Sequence, residues 1–187
     1  MWVLSMKSIL LIFLTATTAL FGQETVLELN PAQTHVEFTL SDVLHTVQGS
    51  FKLKRGAVHY DFATHKCSGE IVIDAQSGDS GSEARDKKMN HNILESDRYP
   101  QIVFTPDHVE GTLSKASIHG LFRIHGKEHE MTMVVEAIPS SNGLDVTALF
   151  VIPYVEWGMK NPSLLFLRVG DQVDINVQAR GRVQPGT

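Results

Sequence analysis

The chain has 187 residues, with 16 Lys and Arg against 21 Asp and Glu, a net charge of −5 and a single cysteine, Cys67. Mild acidity without a basic cluster argues against nucleic acid or an anionic membrane surface as a partner. A lone cysteine rules out an intramolecular disulfide, so packing and backbone pairing must stabilise the fold.

Lys7 precedes the apolar run Ile9 to Leu14, and mostly small residues lead on to Gly22. Residues 1–22 therefore read as a secretory signal peptide, too short and wrongly flanked for a stable membrane span. Cleavage is expected after Ala19 or Gly22, and Met6 competes with Met1 as the true start. No cysteine follows the apolar run, so no stable membrane anchor is expected. A periplasmic or secreted location follows. Residues 23–187 are long enough for one domain with its own core.

The remaining chain is dominated by alternation of period two, the mark of strands with one face in a core and the other in water. Val26 to Leu29 is followed by a turn at Asn30-Pro31 and then by His35 to Leu40. Thr46 to Lys52 and Lys54 to Phe62 read as two strands bending at Gly56, and Gly69 to Ala75 as another. Ser80 and Glu83 have the spacing of a capping box ahead of a short helical segment that reaches about Leu94. Tyr99-Pro100 restores an extended chain and opens the strand Gln101 to His108. Lys115 to His125 turns at Gly126-Lys127 into Glu128 to Ala137. Leu144 to Ile152 and Val173 to Val183 complete the set, separated by the Gly-, Pro- and Asn-rich segment Pro153 to Arg168. Residues 173–180 alternate without an error.

About eight to ten antiparallel strands without long helices predict a sandwich or a barrel. Long, singly alternating strands favour closure, which removes exposed edges. The expected fold is an all-β, eight-stranded or slightly larger up-and-down antiparallel barrel with a short helical segment around 81–94. Its inward face would carry Val36, Phe38, Phe51, Ile71, Ile73, Ile102, Phe104, Ile118, Phe122, Ile124, Val146, Phe150, Val173, Ile175 and Val177. Gly49 and Gly120 would leave gaps beside them. An interior of this size is either filled by side chains or open to one small ligand, and periodicity alone does not decide between the two.

Catalytic signatures are sparse. There is no Gly-x-Ser-x-Gly elbow, no His-Glu-x-x-His helix and no phosphate loop. Arg85-Asp86 reads as a turn brace rather than a catalytic pair. His119, His125 and His129 fall in one expected hairpin and form the alternative, a metal centre for a metal-dependent stress protein or hydrolase. The leading expectation is that no metal binds and that the protein is not an enzyme. A filled barrel with a protein partner on its outer surface is a third reading, and a homodimer is left open.

Three blocks in order resemble one family. Asn30-Pro31-Ala32-Gln33-Thr34-His35-Val36-Glu37-Phe38 is similar to its opening. Arg85-Asp86 through Met89, then Leu94-Glu95 and Tyr99-Pro100 to Ile102 and Phe104, resembles its Arg-Asp helix and Tyr-Pro strand. Gly120-Leu121-Phe122-Arg123-Ile124-His125-Gly126 is similar to its His-Gly hairpin. The family is the YceI-like polyisoprenoid-binding proteins. The resemblance implies a lipocalin-like antiparallel barrel that holds a polyisoprenoid or quinone-like lipid non-covalently, without another cofactor. The inward residues would grip the tail. The head would sit at a mouth near the helical segment or the 153–168 loop, with Arg85, Lys88, Lys160 and Arg168 as candidates to meet it.

Overall fold

Eight strands follow one another around a closed ring: β1 (Glu24–Ser41), β2 (Thr46–Asp61), β3 (Cys67–Asp79), β4 (Gln101–Thr112), β5 (Lys115–Ile124), β6 (Lys127–Ser140), β7 (Gly143–Ile152) and β8 (Val173–Pro185). Each is antiparallel to the next, and β8 pairs back onto β1 from Thr25↔Pro185 to Thr39↔Asp174. The computed structural model describes residues 24–41, 46–141, 143–163 and 169–186, so the expected signal peptide lies outside the described residues. Between β3 and β4 the chain forms the helix α1 (Glu83–Lys88), which runs on into a π-helical turn, Met89–Ile93.

The expected turn at Asn30-Pro31 does not break the first strand. The Asn30 side chain accepts from the Ala32 amide at 3.0 Å, and the Thr34 hydroxyl donates to the Asn30 carbonyl at 2.8 Å. These local bonds absorb a bulge while pairing to both neighbours resumes beyond it. A bulge bends a long strand into a curved wall. β2 likewise runs undivided through Gly56, where a Cβ would lie 2.9 Å from the Leu29 side chain.

The capping box does not form either. Ser82 holds the N-cap position with no side-chain bond, and Ser80 turns instead to Asp86. The Asp86 carboxylate accepts from the Ser80 amide at 2.8 Å and from its hydroxyl at 2.6 Å, while Arg85 Nη2 donates to the Ser80 carbonyl at 2.9 Å. Arg85-Asp86 thus braces the entry to the helix, as the sequence predicts.

The β5–β6 turn falls one residue earlier than expected, on His125-Gly126, with Ile124 opposite Lys127. Both turn residues have positive φ, 51° and 72°, the geometry that matches the strand twist in a two-residue hairpin. Only glycine fits the second position, since a Cβ on Gly126 would lie 2.4 Å from the Tyr99 ring. His125 accepts left-handed backbone beside two partners. Its Nε2 lies 3.4 Å from a Glu95 carboxylate oxygen, and its ring packs on Tyr99 at 5.0 Å.

The order of connections gives the barrel two unlike ends. The helical end carries α1, the π-helical turn, the His125-Gly126 hairpin and the segment between β7 and β8. The far end carries residues 62–66, the Leu113-Ser114 turn and the start of β7. Pairing around the ring is uneven. β3 and β4 match at only four positions, Ile71↔Phe104 to Asp74↔Gln101. Nearer the far end, the Val109 amide donates to the His65 carbonyl at 3.1 Å and re-joins the wall.

Candidate functional site

Alternation along every strand sends one row of apolar side chains inward, and that row surrounds a hollow. The cavity has a volume of about 920 Å³, at the upper end of the range typical of small-molecule sites. The ten residues of β5 extend about 33 Å, or about 25 Å along the axis at a strand tilt near 40°. The site is therefore a long, narrow space rather than a surface cleft.

All fifteen inward residues expected from periodicity, from Val36 and Phe38 through Ile118 to Val177, stand on this wall. Others were missed. β6 contributes Met133, Val135 and Ala137, whose alternation Met131-x-Met133-x-Val135-x-Ala137 was legible in the sequence. Met89, Ile93 and Leu94 line the helical end from the cap, with Tyr154 and Met159 beside them. Their spacing followed no strand period, so strand alternation could not find them. Gly49 and Gly120 do not leave room for a guest. A Cβ on Gly49 would lie 2.4 Å from the Phe38 ring, and one on Gly120 would lie 3.0 Å from that of Phe104. Neighbouring aromatic rings already occupy the space these glycines release.

Two charged side chains line the cavity among the described residues, Arg85 and Lys88, and both belong to the helical end. Arg85 is exposed and spends two donors on Ser80. Lys88 is half-buried and donates to the Pro162 carbonyl at 2.9 Å, leaving two N–H groups to spare. Lys160 is exposed and does not line the cavity. Arg168 lies outside the described residues. Toward the far end the wall includes Phe62 and Leu113, 58% and 59% exposed. An apolar wall that reaches solvent marks an opening rather than a sealed core.

Two weakly acidic groups on the wall are pushed up by burial. The Cys67 thiol rises to about 11, through burial first and the Asp107 carboxylate second. Tyr154 rises to about 12, through burial and then Asp171, while its hydroxyl donates to the Gly170 carbonyl at 2.6 Å. Both stay neutral near pH 7 and add no charge to the interior.

The three hairpin histidines do not converge. His119 faces outward opposite Thr132, whereas His129 lies opposite the inward Phe122. His129 stacks on Trp157 at 4.1 Å, and His125 sits in the turn against Glu95 and Tyr99. The reason is the strand period: residues directly opposed in an antiparallel pair share a face, so the observed register puts His119 and His129 on different faces.

These features define a class: a closed, hollow, eight-stranded antiparallel barrel of lipocalin-like plan, capped at one end by a short helix. A family model described as the YceI-like domain matches residues 27–180, and the chain belongs to that family. Three solved structures share the fold. BcnA from Burkholderia cenocepacia is 18% identical with a TM-score of 0.70, covering 83% of this chain and 99% of its own. A polyisoprenoid binding domain from Saccharophagus degradans, implicated in plant cell wall breakdown, is 15% identical with a TM-score of 0.60, covering 84% and 98%. A YceI protein from Campylobacter jejuni is 16% identical with a TM-score of 0.60, covering 77% and 87%. A comparison with curated protein sequences finds no match.

Proposed function

We propose that this barrel is an exported, non-enzymatic binding protein for a slender amphiphilic lipid of the polyisoprenoid or quinone class. The observation that carries the reading is the 920 Å³ cavity with an apolar wall from end to end and its only two charged lining residues, among those described, at one end. Such a space rewards length and flexibility in a guest, since each buried methylene contributes about 0.8 kcal/mol. The tail lies along the wall formed by Phe104, Ile118, Phe122 and their neighbours. The head lies at the helical end, where spare donors on Arg85 and Lys88 suit a phosphate or a quinone carbonyl. The polyisoprenoid binding domain among the similar folds supports the same lipid class.

One copy of the chain suffices for this role, because its own eight strands close the cavity. Residues 1–22 supply the export signal and are absent from the working protein. Sequestration and delivery both follow from the same cavity, and no reaction step is needed for either.

Native mass spectrometry before and after organic extraction tests the reading. A stoichiometric lipid released by solvent supports it. Phe104→Trp and Ile118→Trp narrow the tube and should lower lipid content while circular dichroism still reports a folded barrel. Unchanged loading in both folded variants contradicts the assignment of the tail to this space.

A further inference from the structure

On the outer surface of the β4–β5 ribbon, away from the lipid cavity, we infer that His108, Glu110 and His119 form a binding site for a divalent transition-metal cation. The register builds it. His108 and His119 are directly opposed across the two strands, and Glu110, two residues beyond His108, shares their face. One potential ligand atom from each of the three lies within 4.8 Å of the other two.

The rings are already held side by side on one face. The two imidazoles stack nearly parallel, 4.2 Å apart at 6°. His108 Nδ1 is held by the Asp107 carboxylate, and His119 Nδ1 by the Thr132 hydroxyl at 2.8 Å. In the tautomer that donates each Nδ1–H to these oxygens, both rings present Nε2 as the free lone pair, the arrangement in which outer partners fix metal-binding histidines. His119 Nε2 is buried and without a hydrogen-bond partner, and the Glu110 carboxylate stands 4.0 Å from it, too far for a hydrogen bond. A cation between them satisfies both.

Binding requires the two side chains to change rotamer, not the strands to move. Ligand bonds near 2.0–2.1 Å in a tetrahedron place ligand atoms about 3.3 Å apart, so the stacked rings must unstack and turn their Nε2 atoms toward one point between them. Asp107 is the extra residue of a β4 bulge between Pro106 and His108, and bulges re-aim side chains in this way. Two imidazoles and one carboxylate select Zn²⁺, Cu²⁺ or Ni²⁺ over Ca²⁺ or Mg²⁺, which prefer all-oxygen shells. The fourth position faces solvent and takes water.

Isothermal titration of the tag-free protein with Zn²⁺ tests the site without reference to lipid. One Zn²⁺ per chain is expected, and His108→Ala, Glu110→Gln and His119→Ala should each weaken it by about tenfold or more. His59→Ala and His91→Ala, each removing a histidine beside a carboxylate elsewhere, should leave affinity within about twofold on that scale. Electron paramagnetic resonance of the Cu²⁺-loaded wild-type protein should show two equatorial nitrogens, a readout that depends on no variant. Absence of saturable Zn²⁺ binding, affinity unchanged in His108→Ala and His119→Ala, or a copper spectrum without two nitrogens overturns the inference.

Discussion

Lys88 on α1 reaches across the helical end of the barrel and donates to the carbonyl of Pro162, 2.9 Å away. That bond ties the cap to the segment after β7, two pieces of chain with no backbone ladder between them. A half-buried, charge-assisted bond of this kind contributes about 1.5 kcal/mol. Lys88→Met keeps the apolar stem and removes the tie, so Tm should fall by roughly 3–6 °C in a domain of this size. Bound lipid should also dissociate faster, because the cap opens more readily. Unchanged melting and release would show that the cap is held by packing alone.

His129 should make the same end sensitive to acid. Burial first, and the charge of Lys127 second, hold its imidazole below the ordinary value of 6.5. The unfolded chain then takes up this proton at a higher pH than the folded one. The stabilisation is complete above the unfolded value and is lost as pH falls through the lower folded one. Trp2 and Trp157 are the two tryptophans, so protein produced from residue 23 reports on the stacked Trp157 alone. Its emission should drop on acidification with a midpoint below 6.5 and should lose that step in His129→Gln. A midpoint above 6.5 would contradict the assignment.

Cys67 offers a chemical probe of the wall. Its thiol is raised from 9.0 to about 11, which leaves about a hundredfold less thiolate near neutral pH. Reaction with a disulfide reagent at pH 8 should be at least about tenfold slower than for an exposed cysteine peptide, the loss of thiolate being offset in part by the greater nucleophilicity of a more basic one. Added lipid should slow it further. Reaction at the peptide's rate would mean that the thiol is not part of a desolvated wall.

Gly120→Ala should separate stability from capacity. The new Cβ would sit 2.3 Å from the Thr105 carbonyl oxygen and 2.8 Å from Pro106 Cα. Backbone cannot rotate away as a side chain can, and overpacking of this kind costs about 1–3 kcal/mol. Gly120 does not line the cavity, so thermal melting should drop by several degrees while lipid stoichiometry holds.

Much of this molecule is legible in its sequence. Period-two alternation in Lys115 to His125 and in Val173 to Val183 is a local property, set by which side chains can face water, and it placed the inward residues of those strands on the wall. Features that depend on register were not legible. The strand expected to end at His108 continues to Thr112, and only that continuation sets His108 opposite His119. The turn at Leu113-Ser114 held the signal, since counting back from it gives this pairing. Ser80 carried the capping-box spacing, but Asp86 competes for its hydroxyl and wins with two bonds. That contest involves neighbours a propensity rule does not weigh. Lys160 looked equivalent to Lys88 by composition, and only the path of the 153–163 segment separates them.

On the proposed function, hydrocarbon rather than the head group supplies most of the affinity. A homologous series of n-alkyl phosphates from eight to sixteen carbons, each kept below its micelle concentration and titrated into delipidated protein, tests it most directly. Burial of one more methylene should tighten binding about fourfold, at about 0.8 kcal/mol each, until the tube is full. Affinity that stays flat along the series, or that the phosphate head alone reproduces, would contradict it.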